Sequence, residues 1–237
     1  MATQAPSQYE SLESIARADC RENYLNAVHR LDVATSGIVL LASSKKAARL
    51  IGQQFSARTI EKTYQAMVSG DARQIERCWS DSIAKIQGHP RVRWHAQKQD
   101  ASATEINKNA MGVDGFRVAE TDVIDCSWHE RSAISQLILK PRTGRMHQLR
   151  VGAAKRGFPI LGDSTYGGCT YRTDEKPYNP HNLAITHGLA DSPSTLSVPA
   201  MIALRAIQVR FRDPVTARQI QVDCEPLPWS EGIAEEV

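Results

Sequence analysis

The chain has 237 residues, of which 41% are hydrophobic and 23% charged, with a formal net charge of +3; that is enough apolar material for one sizeable core and too much for a disordered chain. No apolar run approaches the ~18 residues of a membrane span, and residues 1–28 lack the apolar segment of a secretory signal, so a cytoplasmic location is expected. Cys20, Cys78, Cys126, Cys169 and Cys224 are scattered and never form a Cys-x-x-Cys pair, which argues for free thiols and against a disulfide framework or a zinc knuckle, and His181 and His187 stand six apart without ligand spacing.

Leu12, Ile15 and Ala16 suggest a short first helix. The run from Gly37 to Ala42 predicts a buried strand, and Ser43 or Ser44 can cap a following helix in which Ala47, Ala48, Ile51 and Phe55 recur at three- and four-residue intervals, ending near Arg58. Thr63 to Val68 reads as a strand with Tyr64, Ala66 and Val68 on one face, closed by Ser69-Gly70. Between 71 and 130 the pattern is weaker: Val92 to His95 is a candidate strand, Lys98 to Ala103 is polar, and Phe116 to Asp125 is a strand after the turn at Asp114-Gly115. Ser132 to Leu139 is a clearer strand, broken by Pro141-Arg142-Thr143-Gly144, and a helix runs from about Met146 to Lys155 before Gly157 and Pro159. A Gly-, Tyr- and Asp-rich loop extends from Ile160 to Asn182, and strands at Leu204 to Phe211 and Ile220 to Val222 flank the Asp213-Pro214 turn. Without a linker, repeat or low-complexity tract, this is one mixed α/β unit.

Charge is uneven along it. Residues 222–237 hold Asp223, Glu225, Glu231, Glu235 and Glu236 and no Lys or Arg, which leaves 29 basic against 21 acidic side chains in the remainder. Lys140, Arg142, Arg145, Arg150, Lys155 and Arg156 crowd one stretch without an acid. That stretch reads as a phosphate-facing surface, or equally as a solvated face with counter-ions.

Asp32, after His29-Arg30-Leu31 and before Thr35-Ser36-Gly37, is the residue of greatest interest. Short polar side chains before a glycine form turns, so a turn aspartate is one reading. A carboxylate placed for chemistry is the other, since an arginine and an apolar residue precede it and an apolar run follows. Two distant segments bear on the choice. Glu61-Lys62-Thr63-Tyr64 sets an aromatic hydroxyl on a strand, and Arg142-Thr143-Gly144-Arg145-Met146-His147-Gln148-Leu149-Arg150 sets a glycine turn between arginines at a helix start.

Taken together, these segments resemble the A class of large-ribosomal-subunit pseudouridine synthases. The likeness runs from about Ala27 to Pro226-Leu227-Pro228 and includes Phe55 to Gly70, Thr143 to Gly167, and Leu204 through Asp213-Pro214-Val215-Thr216. It implies a mixed α/β catalytic domain over 29–228, whose long, bent, mainly antiparallel sheet forms two lobes around an RNA-binding cleft, with an N-terminal segment at 1–28 and an acidic tail at 229–237. It further implies isomerisation of uridine to pseudouridine in rRNA or tRNA and no cofactor; a monomer is the default expectation. By position, Asp32 matches the catalytic aspartate, Arg150 the basic residue that pairs with it, and Tyr64 the tyrosine that stacks on the target base. Arg30 matches the arginine that fills the gap left by the flipped base, and His29, Lys62, Arg142, Arg145, His147 and Gln148 fall on the RNA-binding face. Singly, Tyr64 also suits a core position, Arg150 a surface ion pair and Arg30 a phosphate contact.

Met146, Gly152 and Arg205 depart from the commoner Thr, His and His of that pattern, and residues 1–28 show no strand with the Lys-Pro turn that ordinarily opens the domain. The second expectation is therefore an RNA-binding relative with impaired catalysis. A hydrolase built on Asp32 is weaker, because no second carboxylate is paired with it.

Overall fold

The computed structural model describes residues 11–85, 92–94, 115–168, 172–173, 176–177 and 201–227. The Lys98 to Ala103 stretch, His181 and His187, most of the loop running to Asn182 and the acidic tail lie outside these residues. Helix α1 (Leu12–Cys20) starts at Ser11, whose hydroxyl accepts the Ser14 N–H, the cap that an exposed first turn requires. Arg17 donates to the Leu25 carbonyl at 2.6 Å and Glu13 accepts the Ala27 N–H at 2.8 Å, so α1 is tied to the segment that leads into Asp32.

The strand expected from Gly37 to Ala42 is instead two short pairings. Strand β1 (Asn26–Ala27) runs antiparallel to β3 (Leu41–Ala42), whereas β2 (Ser36–Gly37) lies parallel to β11 (Leu204–Arg212). Gly37, at φ +110°, takes the chain out of extended geometry between the two. Ile38 and Leu40 then pack with Ile51, Phe55, Ile60 and Val209 in a satellite cluster. Helix α2 (Lys45–Ser56) begins where the hydroxyl of Ser44 accepts the Ala47 N–H at 3.1 Å.

Behind this layer lies the main sheet: β4 (Glu61–Ser69), β5 (Cys78–Lys85), β6 (Val92–Trp94), β7 (Arg117–His129), β8 (Ile134–Pro141), β11 and β12 (Gln219–Asp223). Their spatial order is β12-β11-β4-β8-β7-β5-β6, antiparallel throughout, with β2 added on β11. Helix α3 (Gln148–Lys155) follows β8, and β9 (Arg172–Thr173) pairs with β10 (Lys176–Pro177). Tyr64 to Val68 are all buried, because β4 is central and covered on both faces. Met67, Val68, Leu137, Leu139, Ile160 and Leu204 form the densest part of the core. Leu227 reaches it from the end of the described chain, its N–H donated to Gln65 at 2.6 Å.

Strand β5 is the element that the sequence pattern hid. Trp79, Asp81 and Ile83 alternate inward, but the middle member is an acid. Its burial is offset by Lys155 at 2.8 Å and Arg156 at 2.9 Å, since a carboxylate enters an interior only when paired. Among the described residues, no helix is long and apolar enough to cross a membrane.

Candidate active site

Asp32 sits on a loop fixed on both sides. Leu31 is buried in the main core. The Asp32 carbonyl accepts the Thr35 N–H at 2.9 Å, the Ala34 carbonyl accepts the Ile202 N–H at 3.0 Å, and Ile38 donates to Ala206 at 3.1 Å. The turn reading of Asp32 is therefore correct for its backbone, and its partly exposed side chain is left to act elsewhere.

His29 does not face outward for RNA as the resemblance implied. Its Nε2 accepts the Leu40 N–H at 2.9 Å and its ring lies 4.9 Å from that of Phe55. Burial, aided by the Lys62 ammonium, depresses the imidazole to about 4, so it is a neutral strut across the base of the Asp32 loop. A histidine at 6.5 when unfolded and about 4 when folded contributes its stability above pH 6.5 and loses it as the pH falls toward 4. Urea melts of wild type and His29→Gln at pH 7 and 4.5 are expected to show an extra acid-induced loss of about 2–3 kcal/mol in wild type alone. Equal losses in the two proteins would remove His29 from this role.

Tyr64 comes from the centre of β4, paired with Leu139 on β8 and Ala206 on β11. Burial, and then the negative charge of Asp32, push its hydroxyl well above the ordinary tyrosine value. The two residues that the resemblance joins are thus within each other's field, and the phenol is held neutral.

The third group enters from α3. His147 precedes the helix in the left-handed conformation, φ 52°, and its Nδ1 meets the Tyr166 hydroxyl at 2.8 Å. Burial lowers the imidazole, while Asp32 opposes that shift. Arg150, 6% exposed, gives both arms of its fork to Asp163, Nε to Oδ2 and Nη2 to Oδ1, each at 2.7 Å. It also lies 5.1 Å from the Tyr166 ring centre. Arg150 was expected to pair with Asp32; its bonded carboxylate is Asp163 instead. Burial disfavours the guanidinium charge, but Asp163 and then the field of Asp32 more than offset this.

Gln148 is the second correction. Its oxygen accepts from the Thr143 hydroxyl at 2.7 Å and the Arg145 N–H at 3.0 Å, and its amide donates to the Glu120 carbonyl at 2.8 Å and the Thr121 hydroxyl at 2.9 Å. Every hydrogen-bonding position of the amide is occupied. Gln148 brackets the Thr143-Gly144-Arg145 turn onto β7 and has nothing left for RNA.

Most cations of the basic stretch are paired. Lys140 pairs with Glu61, Arg142 with Asp122, Arg150 with Asp163, Lys155 with Asp81, and Arg156 with Glu76 and Asp81. Arg145 donates to the Val118 carbonyl at 3.1 Å. Arg142 remains reachable, because its side chain is 63% exposed and an exposed pair is worth only ~0–1 kcal/mol. Arg30 is exposed beside Asp32. Lys62 shares the sheet face of Tyr64 and its Nζ lies 3.8 Å from where a Cβ on Gly144 would be. Burial alone pushes its ammonium below the ordinary value, and among the described residues no carboxylate pairs with it. Gly152 is explained by Trp79: a Cβ would come within 2.9 Å of the indole, leaving no room for the histidine common at that position. No metal-binding cluster occurs among the described residues.

The sequence reading missed Asp163, Tyr166 and Thr143 as members of this site. Asp163 and Tyr166 lay in the matched segment Leu161-Gly162-Asp163-x-x-Tyr166-Gly167, but nothing there indicates which side chain turns inward.

The eight-stranded, mainly antiparallel sheet, with a loop aspartate in the field of a tyrosine on a central strand, is the pseudouridylate synthase fold. A solved structure of human RNA pseudouridylate synthase domain containing 4 superimposes with a TM-score of 0.60 at 22% identity, over 94% of this chain and 80% of that one. The chain belongs to the RNA pseudouridylate synthase family, whose sequence model matches residues 3–155. It is similar to tRNA pseudouridine synthase C of Yersinia pestis, 33% identical over 61% of this chain and 53% of that protein. It is also similar to RNA pseudouridylate synthase domain-containing protein 1 of Danio rerio, 31% identical over 87% and 72%. The chain spans about half the length of several of the curated relatives it matches.

Proposed function

We propose that this protein is an RNA pseudouridine synthase in the A class of the large-ribosomal-subunit enzymes, with Asp32 as its nucleophile and structured rRNA or tRNA as substrate. The observation that carries this reading is the placement of one partly exposed carboxylate, anchored on both sides, within the fields of Tyr64, His147 and Arg150. The Asp32 carboxylate attacks C1′ of the flipped nucleotide as the bond from the sugar to N1 of uracil breaks; the freed base turns, its C5 displaces the carboxylate from C1′, and C5 gives up its proton while N1 takes one up. Nothing is added to the substrate or removed from it overall, so the reaction requires confinement and orientation rather than a redox partner. Tyr64, buried beside the Asp32 loop, takes the role that the resemblance gives it, stacking on the extruded base as the base enters the site and replacing what the base lost in the RNA. Arg30 fills the gap in the RNA. The likeness to tRNA pseudouridine synthase C keeps tRNA beside rRNA as a candidate substrate. A monomer acting in the cytoplasm completes the reading.

Mapping pseudouridine in total RNA from cells with and without the protein tests it: sites that disappear on deletion and return with the wild-type gene support it, and an unchanged map overturns it. Lys62 supplies a narrower test. A half-buried ammonium without a carboxylate among the described residues suits a backbone phosphate arriving with the substrate, and along a strand it stands only about 7 Å from Tyr64, roughly one nucleotide away. Lys62→Met is expected to raise KM about tenfold with kcat unchanged and to reduce the slope of log affinity against log salt by about one. A fall in kcat at constant KM would assign Lys62 to the chemistry instead.

A further inference from the structure

The two helices that flank Asp32 differ in charge. Ile51 and Phe55 of α2 pack with Val209 of β11, and Val209 pairs with Lys62, so α2 covers the sheet face that carries Lys62 and Tyr64. Helix α3 stands on the other side of β4, where Gly152 meets Trp79 of β5. The Asp32 loop is joined to α2 at its base, through the His29 ring 4.9 Å from that of Phe55. On α3 and just past it the cations are spent, Arg150 on Asp163, Lys155 on Asp81, and Arg156 on Glu76 and Asp81. On α2 they are not. Residues 33–60 contain Lys45, Lys46, Arg49 and Arg58 and no acid. All four are exposed, and among the described residues no carboxylate pairs with any of them.

Lys45, Lys46 and Arg49 recur at three- and four-residue spacing, so they form one outward stripe with neighbouring Cβ atoms about 5–6 Å apart. Like charges so placed oppose the helix that carries them, and the stripe therefore adds nothing to the fold. Its chemistry narrows the partner. None of the exposed large hydrophobic side chains lies on α2, whereas a helix lying in a membrane inserts apolar residues and a protein partner is held by a buried anchor. A phosphate backbone asks only for positive charge at regular spacing. We infer that α2 is the docking surface for the RNA strand flanking the target uridine, with Lys45, Lys46 and Arg49 on its phosphates. The RNA is then gripped from one side, by an arm that runs over α2 and not over α3. Twelve residues make α2 about 18 Å long, a span of several nucleotides, so a substrate cut back to the target loop loses this grip. Phosphate contacts carry no sequence information; α2 sets how the RNA lies and leaves the choice of uridine to other contacts. The inference rests on the pseudouridine synthase reading, which places the target uridine at Asp32.

The test uses the full chain as wild type, as Lys45→Gln/Lys46→Gln/Arg49→Gln, and as the charge-matched control Arg77→Gln/Lys85→Gln/Arg117→Gln, whose exposed cations lie on or beside β5 and β7, across the sheet from α2. Tritium release from total RNA of cells lacking the protein, labelled at C5 of uridine, gives apparent KM and kcat. Fluorescence anisotropy with a labelled stem-loop RNA gives affinity against salt concentration. The α2 variant is expected to raise apparent KM about tenfold or more with kcat within about twofold, and to reduce the slope of log affinity against log salt by about two to three. Its melting temperature should be unchanged or higher, because repelling charges are removed. The control is expected to change KM by less than about threefold, the share of net charge alone. Equal effects of the two variants would overturn the inference, as would an α2 variant with wild-type KM and salt slope. An α2 variant that loses binding to phosphatidylserine–phosphatidylcholine vesicles while its RNA affinity is intact would assign the stripe to a membrane surface and overturn it too. Wild-type protein that releases no tritium is a different failure, overturning the proposed function and this inference with it.

Discussion

Asp32→Asn is expected to abolish tritium release from uridine-labelled RNA, a loss of at least about 10⁴-fold or roughly 5 kcal/mol of transition-state stabilisation, while RNA affinity stays within twofold. The change is nearly isosteric, and the parts of Asp32 that shape the loop are untouched by it: the Thr35 N–H bonds the backbone carbonyl, not the side chain, and Leu31 remains in the core. An amide carries no charge to attack with and cannot be ionised into a nucleophile. Arg150 loses only a field, because its fork is bonded to Asp163, so α3 keeps its place. Tyr64 loses the lesser of the two influences that raise its hydroxyl, burial being the greater. The melting temperature should accordingly stay within about 3 °C of wild type, since a change under 1 kcal/mol moves a chain of this size by no more than about 2–4 °C. Residual activity above one per cent, with folding and RNA binding intact, would show that the carboxylate is not the nucleophile.

Much of the scaffold was legible because periodicity and capping act locally. Ser44 with Ala47, Ala48, Ile51 and Phe55 declares α2; the run in β4 declares a strand buried on both faces, and alternating apolar residues declare β8 and β11. Strand β5 was not legible, since Asp81 breaks its apolar alternation and the cations that offset it lie at the end of α3 and just past it, more than seventy residues on. Gly37 to Ala42 misled for the opposite reason: its composition suits a single strand, but one backbone angle at Gly37 hands its two ends to different partners. At the site, residue types were informative and their bonds were not. Asp32, Tyr64 and Arg150 were singled out by their segments, and the structure brings all three into one electrostatic neighbourhood. Yet the resemblance sets His29 and Gln148 on the RNA-binding face, and charge alone offers a phosphate-facing surface as one reading of the basic stretch. Here His29 is spent on the Leu40 N–H, Gln148 on four bonds across the turn, and the cations of the stretch, apart from Arg145, on carboxylates from β4, β5, β7 and the loops. Pairings between segments so distant leave no trace in local pattern.

The loop that carries Asp32 depends on one close approach, and Gly37→Ala is expected to break it. The new Cβ would stand 2.2 Å from the Ala206 oxygen and 2.6 Å from the Ala206 nitrogen. Both are backbone atoms of β11, a strand held on its other edges by β4 and β12, so they cannot yield as a side chain tip would. At φ +110° the residue is also in a region costly for any side chain, about 1–3 kcal/mol before the clash is counted. The loop has to lift, and in lifting it gives up the Ile38 bond to Ala206 and the parallel pairing of Ser36 and Gly37 with Arg205 and Ala206. A total cost of about 3 kcal/mol or more follows, which for a chain of this length lowers the melting temperature by roughly 6–12 °C. The effect on activity should exceed what stability explains. Below the new melting temperature the sheet and α3 persist, but Asp32 sits five residues from the displaced contact, and an offset of about 1 Å is enough to cost roughly 100-fold in rate. Tritium release measured on fully folded Gly37→Ala, as judged by circular dichroism, is therefore expected to show kcat reduced by about two orders of magnitude with RNA affinity nearly unchanged. A variant that melts early yet turns over at the wild-type rate would mean that the position of Asp32 is set from Leu31 and Thr35 alone, and that the pairing with β11 serves the fold without serving the chemistry.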